Sequence, residues 1–208
     1  WDHTADAHIQ RSFHNEDGKV LGQLEARGRA NHAYSSDDPI RKDGDAGRSF
    51  VEKNGQISHT QEEVEAYTKE HGTTPPHDEA GHALPANLFP NIGAHNYAAQ
   101  DSNLNRGSFK QYEDIARDIL NHPEGGHVDY RMRAPLDESG RPEVYKGEIT
   151  GWHNASGQEI LRIEQEFANA KGRQFSRNPK VLNAFDQQDV RKSAIDALFD
   201  AIVDDGKN

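Results

Sequence analysis

A histidine, a side-chain amide and a carboxylate, which together suit hydrolysis of a phosphodiester, follow one another between residues 78 and 117. Histidine has an unperturbed pKa of about 6.5, so His82 can accept a proton from water near pH 7. Asn105 can offer an amide oxygen to a hard cation such as Mg²⁺, and Glu113 can hold the waters of that cation. Arg117 can bind a phosphate oxygen. These residues predict metal-dependent hydrolysis of a phosphodiester.

Each residue also has a simpler structural explanation. Most histidines lie on the surface, and Glu113 with Arg117 could form an ordinary ion pair one helical turn apart. Asn103 and Asn105 could shape a turn before Gly107. It is the joint order and spacing that favours the catalytic interpretation.

The spacing of the histidines argues against a zinc protease. His77 and His82 stand five residues apart instead of the four of His-Glu-x-x-His, and Gly81 weakens a helix between them. They would not share a helical face. His122 and His127 are likewise more typical of a loop than of a metal site.

The helix that must position Glu113 and Arg117 is predicted for residues 108–121. Apolar residues recur there every three or four positions, and Ser108 can serve as its N-cap. Glu113 and Arg117 then lie one turn apart along one edge of the buried stripe, within reach of a cleft that borders the core.

Weaker patterns predict the other elements. We expect residues 1–58 to form loops and short strands, apart from a hairpin around the turn Asn54-Gly55. A capping-box pattern predicts one helix, and amphipathic spacing predicts another near the end of the chain. The predicted ranges are 49–59 for the hairpin, 61–71 and 187–203 for the helices, and 128–133, 143–150 and 159–164 for strands.

Composition narrows the class of protein. The chain has 208 residues, 33% of them apolar, which predicts one core with abundant loops. It has no cysteine, so any metal must use oxygen or imidazole ligands. The formal net charge of −11 argues against a protein that coats nucleic acid by bulk electrostatics, although a local basic cleft fits it. Solubility would explain the acidity, as would a basic protein partner.

No run approaches the roughly 18 apolar residues of a membrane helix, so we expect a soluble protein without membrane insertion.

The stretch 78–117 resembles the DNA/RNA non-specific endonucleases of the ββα-metal, or His-Me finger, superfamily. That family shows Gly-His, then an Asn, then Leu-Asn-x-Gly, and a helix with Glu and, four residues later, Arg. The matching residues here are Gly81, His82, Asn96, Leu104, Asn105, Gly107, Glu113 and Arg117. Asn96 precedes Asn105 by nine residues, as in the family.

The resemblance implies a role for each matching residue. His82 would be the general base, and Asn105 the direct ligand of a single hydrated Mg²⁺, with Mn²⁺ or another divalent cation as a substitute. Glu113 would be a partner of the metal or its waters, and Arg117 a phosphate contact. Asn96 would help to position the site.

One departure from the family concerns Ala80, which stands where many members have Arg, so one phosphate contact is missing or supplied from elsewhere. Asp78-Glu79-Ala80-Gly81-His82 is closer to the branches with Asp-Asp-Gly-Gly-His. Those branches often occur as toxin domains at the ends of secreted bacterial proteins. That context implies secretion or delivery into a target cell, and an immunity protein as inhibitor. Candidates for a basic substrate groove are Arg106, Lys110, Arg131 and Arg133.

The expected fold is α+β, with a ββα-metal finger on a small antiparallel sheet, flanking helices and long loops. Residues 1–45 would be a polar extension or loops, 46–170 the nuclease core, and 171–208 a helical segment. The expected activity is Mg²⁺-dependent endonuclease cleavage of DNA, and of RNA as well, leaving 5′ phosphates. A non-catalytic protein-binding module that retains the finger as a scaffold is the alternative.

Overall fold

The chain adopts a mixed α+β fold with small antiparallel sheets in a computed structural model. The structure describes residues 6–16, 19–43, 65–66, 68–70, 72, 78–90, 92–170 and 188–205. The hairpin predicted for 49–59 lies outside these residues. Of the helix predicted for 61–71, residues 65–66 and 68–70 are described, and they are helical.

Seven strands form two antiparallel sheets. A five-stranded sheet has the order β1-β2-β5-β6-β7, and β3 pairs with β4 in a separate two-stranded sheet. The strands are β1 (Asp6–Glu16), β2 (Lys19–Ala30), β3 (Asp78–His82), β4 (Tyr97–Asp101), β5 (Gly125–Leu136), β6 (Val144–His153) and β7 (Glu159–Ala168). The strands predicted for 128–133, 143–150 and 159–164 are thereby confirmed as β5, β6 and β7.

Besides the helical residues 65–66 and 68–70, the described part of the chain contains four α-helices with defined bounds and a 3-10 turn at Ala94–Asn96. They are α1 (Pro39–Asp43), α2 (Ser102–Arg106), α3 (Ser108–Asn121) and α4 (Gln188–Asp205). The helices predicted for 108–121 and 187–203 are confirmed. Ser108 is not the cap of α3, because Gly107 occupies that position and no side chain caps the helix.

The core lies between one face of the large sheet and α3. Along β5, Val128, Tyr130, Met132 and Ala134 are buried. The ring of Tyr112 on α3 packs edge-on against Tyr130, with their centroids 5.8 Å apart. We call this buried side the inner face. Two glycines of β6 allow α3 to approach it closely, since a Cβ at Gly147 would lie 2.8 Å from the Tyr112 hydroxyl and one at Gly151 would lie 2.9 Å from Ile119.

The loops expected for residues 1–45 are wrong for most of that segment. β1 and β2 pair over eleven residues, and β2 pairs with β5 from Gly22 to Ala30, so this segment belongs to the main sheet. On the inner face, β2 carries the small residues Ala26, Gly28 and Ala30, which leave room for other elements to pack. Because these residues are small, the sequence of β2 shows no clear alternation of large apolar and polar residues. Phe89 fills the space over Gly28, where a Cβ would lie 2.3 Å from its ring.

Buried side chains attach the β3–β4 pair to the large sheet. Asn169, which follows β7 and is 1% exposed, accepts a hydrogen bond from the Asp101 backbone N–H at 2.7 Å. Its Nδ2 donates to the carbonyl oxygens of Ala99 and Pro142 at 3.0 and 2.7 Å. Arg141 binds the buried Asp78 through two hydrogen bonds of 2.7 and 2.8 Å. Asp78 of β3 and Asp101 of β4 are paired in the small sheet, and each is therefore held by one of these contacts.

None of the described helices is both long and apolar enough to cross a membrane.

Replacing Asn169 by Asp should lower the free energy of unfolding by about 2–4 kcal/mol, because the carboxylate cannot donate to the carbonyls of Ala99 and Pro142. Asn169→Ala should have an effect of similar size. Urea denaturation measures both variants against Asn154→Ala, a matched change at an exposed asparagine. Equal stability of Asn169→Asp and Asn154→Ala would contradict a structural role for this joint.

Candidate active site

His82 lies at the end of β3, and its ring is aligned by the strand beside it. The register pairs His82 with Tyr97 of β4, and the two rings are nearly parallel at 11° with centroids 6.1 Å apart. The preceding residue must be glycine, because a Cβ at Gly81 would lie 2.0 Å from the Oε1 atom of the fully buried Gln100. The Gly-His pair thus has a packing reason as well as a chemical one.

Asn96 positions the chain that follows His82. Its side-chain oxygen accepts from the Leu84 N–H and its Nδ2 donates to the Leu84 carbonyl, both at 2.9 Å. Its own carbonyl accepts from the Ala83 N–H at 2.9 Å. Asn96 is 3% exposed, so its amide acts on the backbone of this loop. Asn96, one of the predicted site residues, thus positions the backbone of residues 83 and 84, directly after His82.

Glu113 of α3 is an ionisable group that the structure brings to His82. Its Oε1 lies 3.9 Å from the His82 Nε2. Glu113 is buried, and Oε1 makes no hydrogen bond. Burial raises the pKa of Glu113 to about 8, and the neighbouring Asp114 carboxylate adds to this rise. At neutral pH the isolated protein therefore holds a largely protonated carboxyl beside the histidine.

Asn105 lies on α2, which the buried Asp101 caps by accepting a hydrogen bond from the Leu104 N–H at 3.2 Å. The Asn105 Nδ2 donates to Glu79 Oε2 at 2.9 Å. This bond fixes the amide with its nitrogen toward Glu79, so the amide oxygen points elsewhere and can act as a ligand. Arg106, which is largely exposed, forms an ion pair with the other oxygen of Glu79.

Arg117 is held by acidic neighbours on its own helix. Its Nη1 lies 2.7 Å from Asp114 Oδ1, and its Nη2 and Nε donate to Asp118 Oδ1 at 3.2 and 3.3 Å. Asp118 in turn is bound by the buried Arg191 of α4. Lys110 also lies beside Asp114, with its Nζ 3.3 Å from Oδ2. The structure thus places Arg117 and Lys110 in a cleft between α3 and α4, and His82 is not among the residues that line this cleft.

Arg131 and Arg133 do not join the other predicted residues. They alternate along β5 with the buried Tyr130 and Met132, so their side chains lie on the outer face of the sheet, opposite α3. His82, Glu113 and Asn105 belong to elements that lie outside this face. A single basic groove containing both Arg106 and Arg131 is not formed.

The residues fit a weakly held, hydrated cation better than a closed metal cage. In the described part of the chain, no three His, Asp or Glu side chains are grouped so as to hold a metal. The Asn105 oxygen and the unpaired Glu113 Oε1 are oxygen donors, the type that Mg²⁺ prefers while it keeps several waters. Glu79 adds a carboxylate next to Asn105.

Sequence reasoning missed four residues that shape the site. Glu79 orients Asn105, Asp101 caps α2, Tyr97 lies against His82, and Asn169 fixes β4. Glu79 and Asp101 could have been found from their places beside a motif residue and before a helix. The roles of Tyr97 and Asn169 depend on strand register and on a contact across nearly seventy residues, which leave no local signal.

A comparison of the chain with protein-family models and with curated protein sequences finds no match.

The raised pKa of Glu113 predicts a pH-dependent stability in EDTA. The unfolded chain loses this proton near pH 4.5, whereas the folded protein keeps it to about pH 8, so the free energy of unfolding should fall as pH rises through this window. Glu113→Gln mimics the protonated form and should remove the effect. At pH 8 the free energy of unfolding of this variant should exceed that of the wild type by roughly 2–4 kcal/mol. Urea denaturation across pH measures the difference.

Glu138→Gln is the control, because Glu138 is exposed in the turn between β5 and β6. Its profile should run parallel to that of the wild type. If the Glu113→Gln profile is also parallel to the wild type, Glu113 is not protonated in the folded protein.

Proposed function

We propose that this protein is a divalent-cation-dependent endonuclease that cleaves phosphodiester bonds of DNA and RNA. The observation that carries the proposal is the pairing of His82 with the buried Glu113 at 3.9 Å, next to a helix on which Asn105 is oriented by Glu79. A histidine beside a carboxyl, with an oriented amide oxygen, is a suitable set for hydrolysis of a phosphodiester. The chain has no cysteine, so no thiol competes with water as the nucleophile at this site.

The order of elements supports the ββα-metal finger as the form of this site. Two antiparallel strands, β3 and β4, precede α2 and α3, with His82 on the first strand and Asn105 between the second strand and the long helix. This is the order that the resemblance of residues 78–117 implies.

In the proposed reaction His82 takes a proton from a water molecule as its oxygen attacks phosphorus in line. The bond from phosphorus to the 3′ oxygen breaks, the departing oxygen takes a proton from solvent, and the products carry a 5′ phosphate and a 3′ hydroxyl. Tyr97 and the Gly81–Gln100 contact keep the imidazole oriented for this step. A cation bound near Asn105 supplies positive charge for the phosphorane and the leaving oxygen.

Glu113 responds to the charge that forms on His82. When His82 becomes an imidazolium, its charge favours ionisation of the carboxyl 3.9 Å away, which gives its proton to solvent, and the resulting carboxylate stabilises the imidazolium. A divalent cation would lower the pKa of Glu113 in the same way. Burial of Glu113 in the resting protein thus leaves a carboxyl that ionises when positive charge arrives.

Weak sequence selectivity follows from the groups available. Asn105 and its neighbour Arg106 offer an amide and a cationic group that suit phosphate and sugar, and such contacts carry little sequence information. We further propose, on the resemblance alone, that the enzyme acts as a toxin delivered into a target cell and is inhibited by an immunity protein.

His82→Ala should lower the rate of plasmid and RNA cleavage with Mg²⁺ by at least about two orders of magnitude, because the general base is lost. Circular dichroism should show an unchanged fold. His127→Ala is the matched control, since that histidine stacks on Trp152 on the outer face of the sheet, away from the site. Absence of wild-type cleavage with any divalent cation would reject the nuclease assignment, and full activity of His82→Ala would remove His82 from the mechanism.

Asn105→Ala should raise the Mg²⁺ concentration needed for half-maximal activity by at least about tenfold, the lower end of the effect expected when a ligand environment is lost. Glu79→Gln keeps a hydrogen-bond acceptor for Asn105 and should shift the same midpoint less. The test is a titration of cleavage rate against Mg²⁺ at saturating substrate. An unchanged midpoint in Asn105→Ala would reject Asn105 as the ligand.

A further inference from the structure

The outer face of the five-stranded sheet carries two arginines directly opposite each other. The register between β2 and β5 pairs Arg27 with Arg131, and that between β1 and β2 pairs Arg27 with His8. All three side chains are exposed. Like charges at directly opposed positions of an antiparallel pair destabilise a sheet. The two guanidinium groups therefore lower the stability of this surface unless an anion lies between them.

Nearby arginines differ from Arg27 in having acidic partners. Arg29 binds Asp129 through hydrogen bonds of 2.7 and 3.0 Å, and Arg133 lies 3.5 Å from Glu25. Arg131 reaches Glu148 only at 4.0 Å. Arg27 forms no ion pair or hydrogen bond with any side chain in the described ranges. The centre of this surface thus has guanidinium donors to spare.

Two shallow clefts flank the arginine pair. One of about 470 Å³ extends toward Arg29, and the other of about 350 Å³ extends toward Arg133. Both are lined by His8, Arg27 and Arg131. Residues two apart on a strand are roughly 7 Å apart, so the four arginines form a short two-strand ladder along the surface. An extended polyanion can contact several of them at once.

Charge is distributed unevenly across this outer face. On β2 and β5 the described charged side chains are four arginines and two acids, Glu25 and Asp129. On β6 and β7, Lys146 and Arg162 are outnumbered by Glu148, Glu159, Glu164 and Glu166. A polyanion would be attracted to the first half and repelled by the second. In a chain of net charge −11, this arrangement confines a polyanion to the outer face of β2 and β5, which we call the strip.

The strip lacks the features of a protein-docking surface. Protein interfaces are usually anchored by large apolar or aromatic residues in a desolvated centre. The large apolar side chains that are exposed among the described residues are Ile40 and Val190, and neither belongs to this sheet. A surface that presents guanidinium groups and no apolar anchor is suited to phosphates, which bind through electrostatics and hydrogen bonds.

We propose that Arg27 and Arg131, with Arg29 and Arg133 beside them, form a second binding site for the phosphate backbone of nucleic acid, on the side of the sheet opposite His82. The proposal rests on the proposed function for its ligand and extends it, because contacts at this strip would keep a long substrate on the enzyme between cleavage events.

The test is binding of fluorescein-labelled single-stranded and duplex DNA, followed by anisotropy in EDTA so that no cleavage occurs. Arg27→Gln and Arg131→Gln should each weaken binding about five- to eightfold at 0.1 M salt, and each should lower the slope of log affinity against log salt by about 0.7 for the single strand and 0.9 for the duplex. Arg162→Gln removes the same charge from the acidic half of the same face and should leave the slope unchanged.

Wild-type affinity and slope in the Arg27→Gln/Arg131→Gln double variant would overturn the proposal. Equal binding of labelled poly-L-glutamate, lost in the same variants, would overturn it in favour of an acidic protein partner. The measurement does not depend on catalysis, so absence of cleavage in the Mg²⁺ assay would reject the nuclease while DNA binding at the strip could still be observed.

Discussion

The candidate site depends on one buried polar joint, the side chain of Asn169 between the end of β7 and strand β4. The two-stranded sheet shares no strand with the large sheet, so side chains must hold it in place. Asn169 uses its donors and its acceptor to fix the backbone of β4 and of Pro142. Asp101, whose N–H it binds, caps α2, and α2 carries Asn105. The position of the proposed cation ligand therefore depends on a residue in a distant part of the chain. A buried hydrogen-bond network of this kind specifies one geometry, because each alternative geometry leaves polar groups unpaired.

The second constraint is the packing of α3, which belongs to the core and to the site together. Tyr112 and Ile119 press against the glycines of β6, so the helix cannot rotate or slide without clashes. That contact fixes Glu113 at the edge of the core. Its burial there raises its pKa, and it also brings the carboxyl to the ring of His82. The chemistry and the packing thus have one origin, since a more exposed Glu113 would be an ordinary carboxylate with no reason to hold a proton at neutral pH.

The elements whose apolar residues recur with a regular period could be predicted from the sequence, and the elements fixed by contacts with distant parts of the chain could not. Helix α3 and strands β5 to β7 have clear apolar patterns and lie within a residue or a few of the predicted bounds. β1 and β2 do not, because arginines cover the outer side of β2 and small residues occupy much of its inner side. The apolar spacing that predicts α4 includes Val190, Ala194 and Leu198. The buried positions instead include the next residue in each case, Arg191, Ile195 and Phe199, because Asp118 binds Arg191 at this contact. A buried arginine has no signature in a hydrophobic pattern.

The environment of Arg117 shows why residue type alone does not define a phosphate contact. Two aspartates hold its guanidinium group, and Arg191 from α4 shares one of them, so the local charge is close to balanced. A phosphate would have to compete with Asp114 and Asp118 for the same donors. Binding of Asp118 by Arg191 weakens the hold of that carboxylate on Arg117, since one negative charge is then divided between two cations. Helix α4, which lies outside residues 78–117, thereby becomes an electrostatic determinant of whether Arg117 can bind the proposed substrate.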